Sequence, residues 1–161
     1  ERDFAWLFVP TIAGMSLGAW VSGRSAGRIS GEGAIAWGFA ALAASVVWNV
    51  GYHLLASTPV VPWAVLGLTL HAFGTAMIFP VLSLRILDMY PRQRGSASSM
   101  QAFTVLVTNT VVAGVLSPWL SGSGLTLALG AACFITLAGG LWLLELRTAG
   151  RSGKPAGDQG Q

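Results

Sequence analysis

Five stretches of the chain, 4–23, 33–55, 61–87, 96–119 and 125–146, each run for 20 residues or more with almost no charge. A hydrocarbon core of about 30 Å is crossed by roughly 20 apolar residues in a helix. In lipid the backbone must satisfy its own polar groups, which leaves helices or closed barrels. Strict alternation is absent and the runs are too long for barrel strands. The expectation is an all-α integral membrane protein with five transmembrane helices. Composition agrees: 53% of residues are hydrophobic and 9% are charged. A soluble fold would need polar outer faces on its helices.

The connections between the stretches alternate in charge. The first holds Arg24 and Arg28, the second ("LLASTPVVPW") no lysine or arginine. The third holds Arg92 and Arg94 just after Arg85, the fourth ("SPWLSGSG") none, and the tail holds Arg147, Arg151 and Lys154. Basic connections stay on the cytoplasmic side. The pattern therefore predicts a serpentine chain with its amino end outside and its carboxyl end in the cytoplasm. Trp63 and Trp119 fall at outer ends, where an indole suits the interface. Residues 148–161, rich in Gly, Pro and polar side chains, are expected to be a disordered cytoplasmic tail. The opening "ERDFAWLF" reads as the start of an excised piece of a longer protein.

A net charge of +3 distributed in short clusters points to topology, not to a nucleic-acid partner. Cys133 stands alone in an apolar run and is expected to pack. HExxH, GxSxG and P-loop patterns are absent, so no catalytic residue, metal or cofactor is expected. Glu32 reads as a loop residue, and Asp88 and Glu145 as residues near cytoplasmic helix ends.

Small residues mark where helices could approach closely. Gly14 and Gly18 form a GxxxG on the first stretch, and Gly23 and Gly27 repeat the spacing. Gly95 and Ser99 share a face of the fourth, with Ser98 and Ala102 beside them. Static packing and sliding contact both fit. Polar residues also recur at helical spacing: Gln101, Thr104 and Thr108 with Asn109 adjacent, and Thr69, His71 and Thr75 on the third stretch. Lipid penalises such faces, so they should meet other helices or a wet cavity. An imidazole at His71 is either a hydrogen-bonded neutral group or a proton carrier. Pro10 and Pro80 interrupt helical runs and can kink them.

Two segments then carry a family resemblance. "GMSLGAWVSGRSAGR" resembles the second copy of the major facilitator loop motif. "LRILDMYPRQRGSASSMQAF" is similar to the drug/proton antiporters of the bicyclomycin-resistance type, and "AGVLSPWLS" also fits. The resemblance spans residues 4–146 and implies helices eight to twelve of a twelve-helix bacterial inner-membrane transporter. It implies multidrug efflux by proton antiport and alternating access, with small drug-like substrates, protons, the bilayer and a missing amino-terminal half as partners. On that layout the first, third and fourth helices line the central cavity. The expected lining is Phe8, Thr11, Met15, His71, Thr75, Gln101, Thr104 and Thr108. The expected gating set is Gly14, Gly18, Arg24, Gly27, Arg28, Arg85, Asp88, Arg92, Arg94 and Gly95. The loop motif's usual aspartate is replaced by Arg24, so Asp88 becomes the candidate partner of Arg24 or Arg28 in one gate state. A major facilitator importer of a metabolite, or a five-span anchor that assembles partners, are the rival readings.

Overall fold

A computed structural model describes residues 2–55 and 63–152, with side chains for 8–55 and 63–148. All of its elements are helical. The first three are α1 (Arg2–Ser25), α2 (Gly31–Leu55) and α3 (Trp63–Met89). Next, α4 (Arg94–Val111) runs through a π turn (Val112–Leu116) into the short α5 (Ser117–Leu120). The last, α6, spans Gly124–Ser152. Among the described residues, four helical runs are long and apolar enough to cross a membrane: Gly31–Leu55, Trp63–Met89, Arg94–Leu120 and Gly124–Thr148.

The bundle is organised around α3, with α1 and α2 packed along it and α6 packed on α2. Glycine makes the first contact possible. A methyl group at Gly14 would lie 2.5 Å from the carbonyl oxygen of Thr69, and one at Gly18 would collide with the carbonyl oxygen of Phe73. One turn further, Ser22 donates its hydroxyl to the carbonyl of Met77 at 3.1 Å. These three rungs step forward together, so α1 and α3 run parallel. The second contact is antiparallel. Gly38 backs onto Ile78 and Gly74, Ser45 donates to the carbonyl of Gly67 at 2.9 Å, and the Trp48 indole donates to the carbonyl of Trp63 at 3.0 Å. Without glycine at these crossings the backbones could not come this close, and dispersion would be lost along the seam.

The arginine-bearing turns share one end of the bundle. The α1–α2 turn sits against Pro80, Val81 and Leu84 of α3, and Arg85 reaches Glu145 on α6 at 3.0 Å. Trp63, Trp119 and the start of α6 lie toward the other end, where Gly124 abuts His53. Consecutive long helices therefore alternate in direction. Outside, the protein is apolar: Val9 is 65% exposed, Val47 73% and Leu141 68%, and Trp20, Phe103 and Leu106 are also exposed. Water would not tolerate so broad an apolar exterior, whereas lipid does. The chain is a multi-pass helical membrane protein.

Several expected boundaries shift. Glu32 lies in the first turn of α2, not in a loop, where its charge suits the positive helix end. Ser30 caps the same turn by accepting from the N–H of Gly33 at 3.1 Å. The helix α6 continues to Ser152, past the expected end at 146, and residues 153–161 lie outside the described residues. Basic residues at a helix carboxyl end favour that extension. Most of the uncharged second connection (56–62) also lies outside the described residues. Both α1 and α3 remain helical through Pro10 and Pro80.

The break falls instead at Val112–Leu116, where Ser117 N–H bonds the carbonyl of Val112 five residues back. Pro118 explains it. A proline ring collides with the carbonyl four residues earlier, here that of Gly114, and a widened turn carries that carbonyl aside. After α5 a reciprocal cap starts α6. Thr126 N–H donates to Ser123 Oγ at 3.1 Å, and Ser123 N–H donates to Thr126 Oγ1 at 3.2 Å.

Candidate functional site

α4 is the least covered helix, and none of its residues is buried. Between it and α3 opens a groove of about 650 Å³. Phe79, Leu82 and Ile86 form the α3 wall, Tyr90 of the turn continues it, and Met100, Gln101, Thr104 and Val105 form most of the α4 wall. Apolar and aromatic surface dominates, with polar groups placed singly, as in pockets that accept organic molecules. Gln101, in the groove lining, ties α4 to α3, its Nε2 donating to Ser83 Oγ at 2.7 Å. Thr104 turns its hydroxyl onto its own helix, donating to the carbonyl of Met100 at 2.8 Å.

Of the expected lining residues, the groove gathers Gln101 and Thr104. Thr108 lies on α4 beyond the groove, exposed. His71 and Thr75 sit on α3 before Phe79, and the Thr75 hydroxyl donates to the carbonyl of His71 at 2.9 Å. That bond keeps the hydroxyl satisfied without a partner helix. Phe8, Thr11 and Met15 are on α1, which packs on α3 away from this groove, with Phe8 and Met15 about half exposed.

The gating set separates into three groups. Gly14 and Gly18 are buried at the α1–α3 seam. Gly27 takes φ +79°, the left-handed conformation that lets α1 end and the chain turn toward α2. Gly95, and Gly23 on α1, would meet nothing if given a methyl group. The third group is ionic. In this structure Asp88 binds Arg94 at 2.9 Å; its expected pairing with Arg24 or Arg28 belonged to one gate state only. The turn 90–93 is short enough to bring Arg94, the first residue of α4, back over the last turn of α3, and Arg24 instead lies over the Trp20 ring at 5.7 Å. Arg92 is exposed in the turn, and Arg28 is exposed beside Gly27.

Three partners were not marked by any local pattern: Ser83 for Gln101, Glu145 for Arg85, and Phe39 stacked on Trp142 with centroids 5.3 Å apart. Each joins residues far apart in sequence. Among the described residues no three His, Cys, Asp or Glu side chains are grouped to hold a metal ion. No family model, curated protein or solved structure matches the chain.

Proposed function

We propose that this chain supplies the carboxyl-terminal helices of a membrane transporter that exports small, drug-like, largely apolar molecules. The groove between α3 and α4 carries the reading: it is wide enough for an organic molecule, its walls are apolar and aromatic, and Gln101 adds a polar group to its lining, tied to Ser83 of α3. The uncovered flank of α4 supports it too, because alternating access needs a second bundle on which the first can rock. The resemblance of residues 84–103 to proton-driven antiporters of the major facilitator type supplies the mechanism: proton exchange in a bacterial inner membrane, five crossings, the carboxyl end in the cytoplasm, and an acidic proton carrier in the other half of the protein. The substrate is moved unchanged, so no catalytic residue is assigned.

The experiment is an efflux assay on the complete reading frame expressed in cells loaded with a fluorescent apolar dye. Active export that is lost when Met100→Trp fills the groove, with surface expression kept, supports the proposal. Dye accumulation driven by the protein would favour an importer, and absence of movement in either direction would favour an anchor.

A further inference from the structure

Two ion pairs at the arginine-bearing end share one helix. Arg85 on α3 holds Glu145 of α6 at 3.0 Å, and Asp88, also on α3, holds Arg94 at the start of α4 at 2.9 Å. Arg85 and Asp88 are three residues apart, so they are neighbours on one face of α3. The order Glu145, Arg85, Asp88, Arg94 is thus a line of alternating charge crossing three helices. All four side chains are substantially exposed, 40% at Arg85 and 68% at Asp88. Pairs of this kind are individually weak and exchange readily.

We propose that this line is a partner-exchange switch in which Glu145 keeps Arg85 occupied and so leaves Asp88 to Arg94. When Glu145 withdraws or is neutralised, Arg85 turns to Asp88 and displaces Arg94. Arg94 is the first residue of α4, a helix with no buried residue that is otherwise tied to α3 by the Gln101–Ser83 bond, one turn and more further on. Releasing it frees that helix to swing about the turn 90–93, which borders the α3–α4 groove. The position of α6 thereby sets the freedom of α4, although neither helix touches the other at this end through these four residues. The switch stands on the two pairs and their spacing, whatever the groove carries.

The test reads distance, not transport. In a Cys133→Ser background, nitroxide labels at Leu84→Cys on α3 and Phe103→Cys on α4, both exposed and outside the groove lining, report the α3–α4 separation in lipid nanodiscs by pulsed electron resonance. The parent gives one narrow distribution. Glu145→Gln adds a second population at longer distance, and Asp88→Asn does the same. Arg85→Ala stays narrow, because no competitor for Asp88 is left. The double variant Arg85→Ala/Glu145→Gln returns to the narrow distribution. A lost brace between α3 and α6 would instead make Arg85→Ala and the double variant as broad as Glu145→Gln. That result, or a narrow distribution in Glu145→Gln or Asp88→Asn, overturns the proposal.

Discussion

Ser45 on α2 donates its hydroxyl to the carbonyl oxygen of Gly67 on α3 across 2.9 Å, sealed from solvent at 1% exposure. Interhelical bonds of this kind in membranes average about 0.6 kcal/mol and reach about 1.7. Ser45→Ala keeps the close approach and should lower stability by that modest amount, seen as a small fall in unfolding temperature in detergent. Ser45→Leu should cost far more, because the added volume has no space at the α2–α3 contact.

Gly18→Val should prevent assembly of α1 on α3. A side chain there runs into the backbone carbonyl of Phe73, which cannot rotate away as a side chain could. Gly23→Val, one turn on but facing open space, should be tolerated. Crosslinking between α1 and α3 cysteines is expected to survive the second substitution and not the first.

Trp142→Phe should leave stability unchanged or raise it. The ring stacked on Phe39 is kept, while the buried indole N–H, which meets no hydrogen-bond acceptor among the described residues, is removed. Leaving such a donor unpaired costs about 1–3 kcal/mol. A large fall in unfolding temperature would mean that the indole nitrogen has a partner in the membrane.

Pro118→Ala should close the π turn into regular α-helix. The carbonyl of Gly114 regains a possible N–H donor, and the chain after residue 116 rotates by about 100°, one residue's turn. Maleimide labelling of single cysteines across 105–111 and 117–120 follows two different phases in the parent and should follow one phase in the variant.

Cysteines at Ala97, Gln101 and Thr104 should share protection from labelling when an apolar dye is added, because all three line the α3–α4 groove. A cysteine at Thr108 should not, since the groove ends before it. Equal protection at all four would extend the groove further along α4 than the structure does.

The four spans from Gly31 to Thr148 were legible because length and apolarity are local properties, and lipid leaves the backbone few choices; the first expected span, 4–23, lies in α1, which is not among them. Gly14 and Gly18 were readable as a packing face for the same reason. Their partners were not: nothing near residue 14 encodes Thr69, because that pairing depends on how α2 folds back between them. Asp88 was expected to pair with Arg24 or Arg28 in one gate state; the nearer partner that the turn 90–93 delivers, Arg94, was not foreseen. The π turn escaped notice because Pro118 sits near the end of an apolar run, where a proline reads as a terminator. In this chain the helix widens ahead of it and continues to Leu120. Ser83 was hidden by its ordinariness, one hydroxyl in an apolar helix that matters only because Gln101 lies opposite.

The rungs joining Gly14 to Thr69, Gly18 to Phe73 and Ser22 to Met77 all keep one offset of 55 positions. Like the teeth of a rack, they mesh at four-residue intervals, so a slip of one, two or three residues disengages every tooth together. The next engagement lies about 6 Å along the axis, four residues of helical rise. A stroke of α1 along α3 that kept this packing would therefore cover a whole notch.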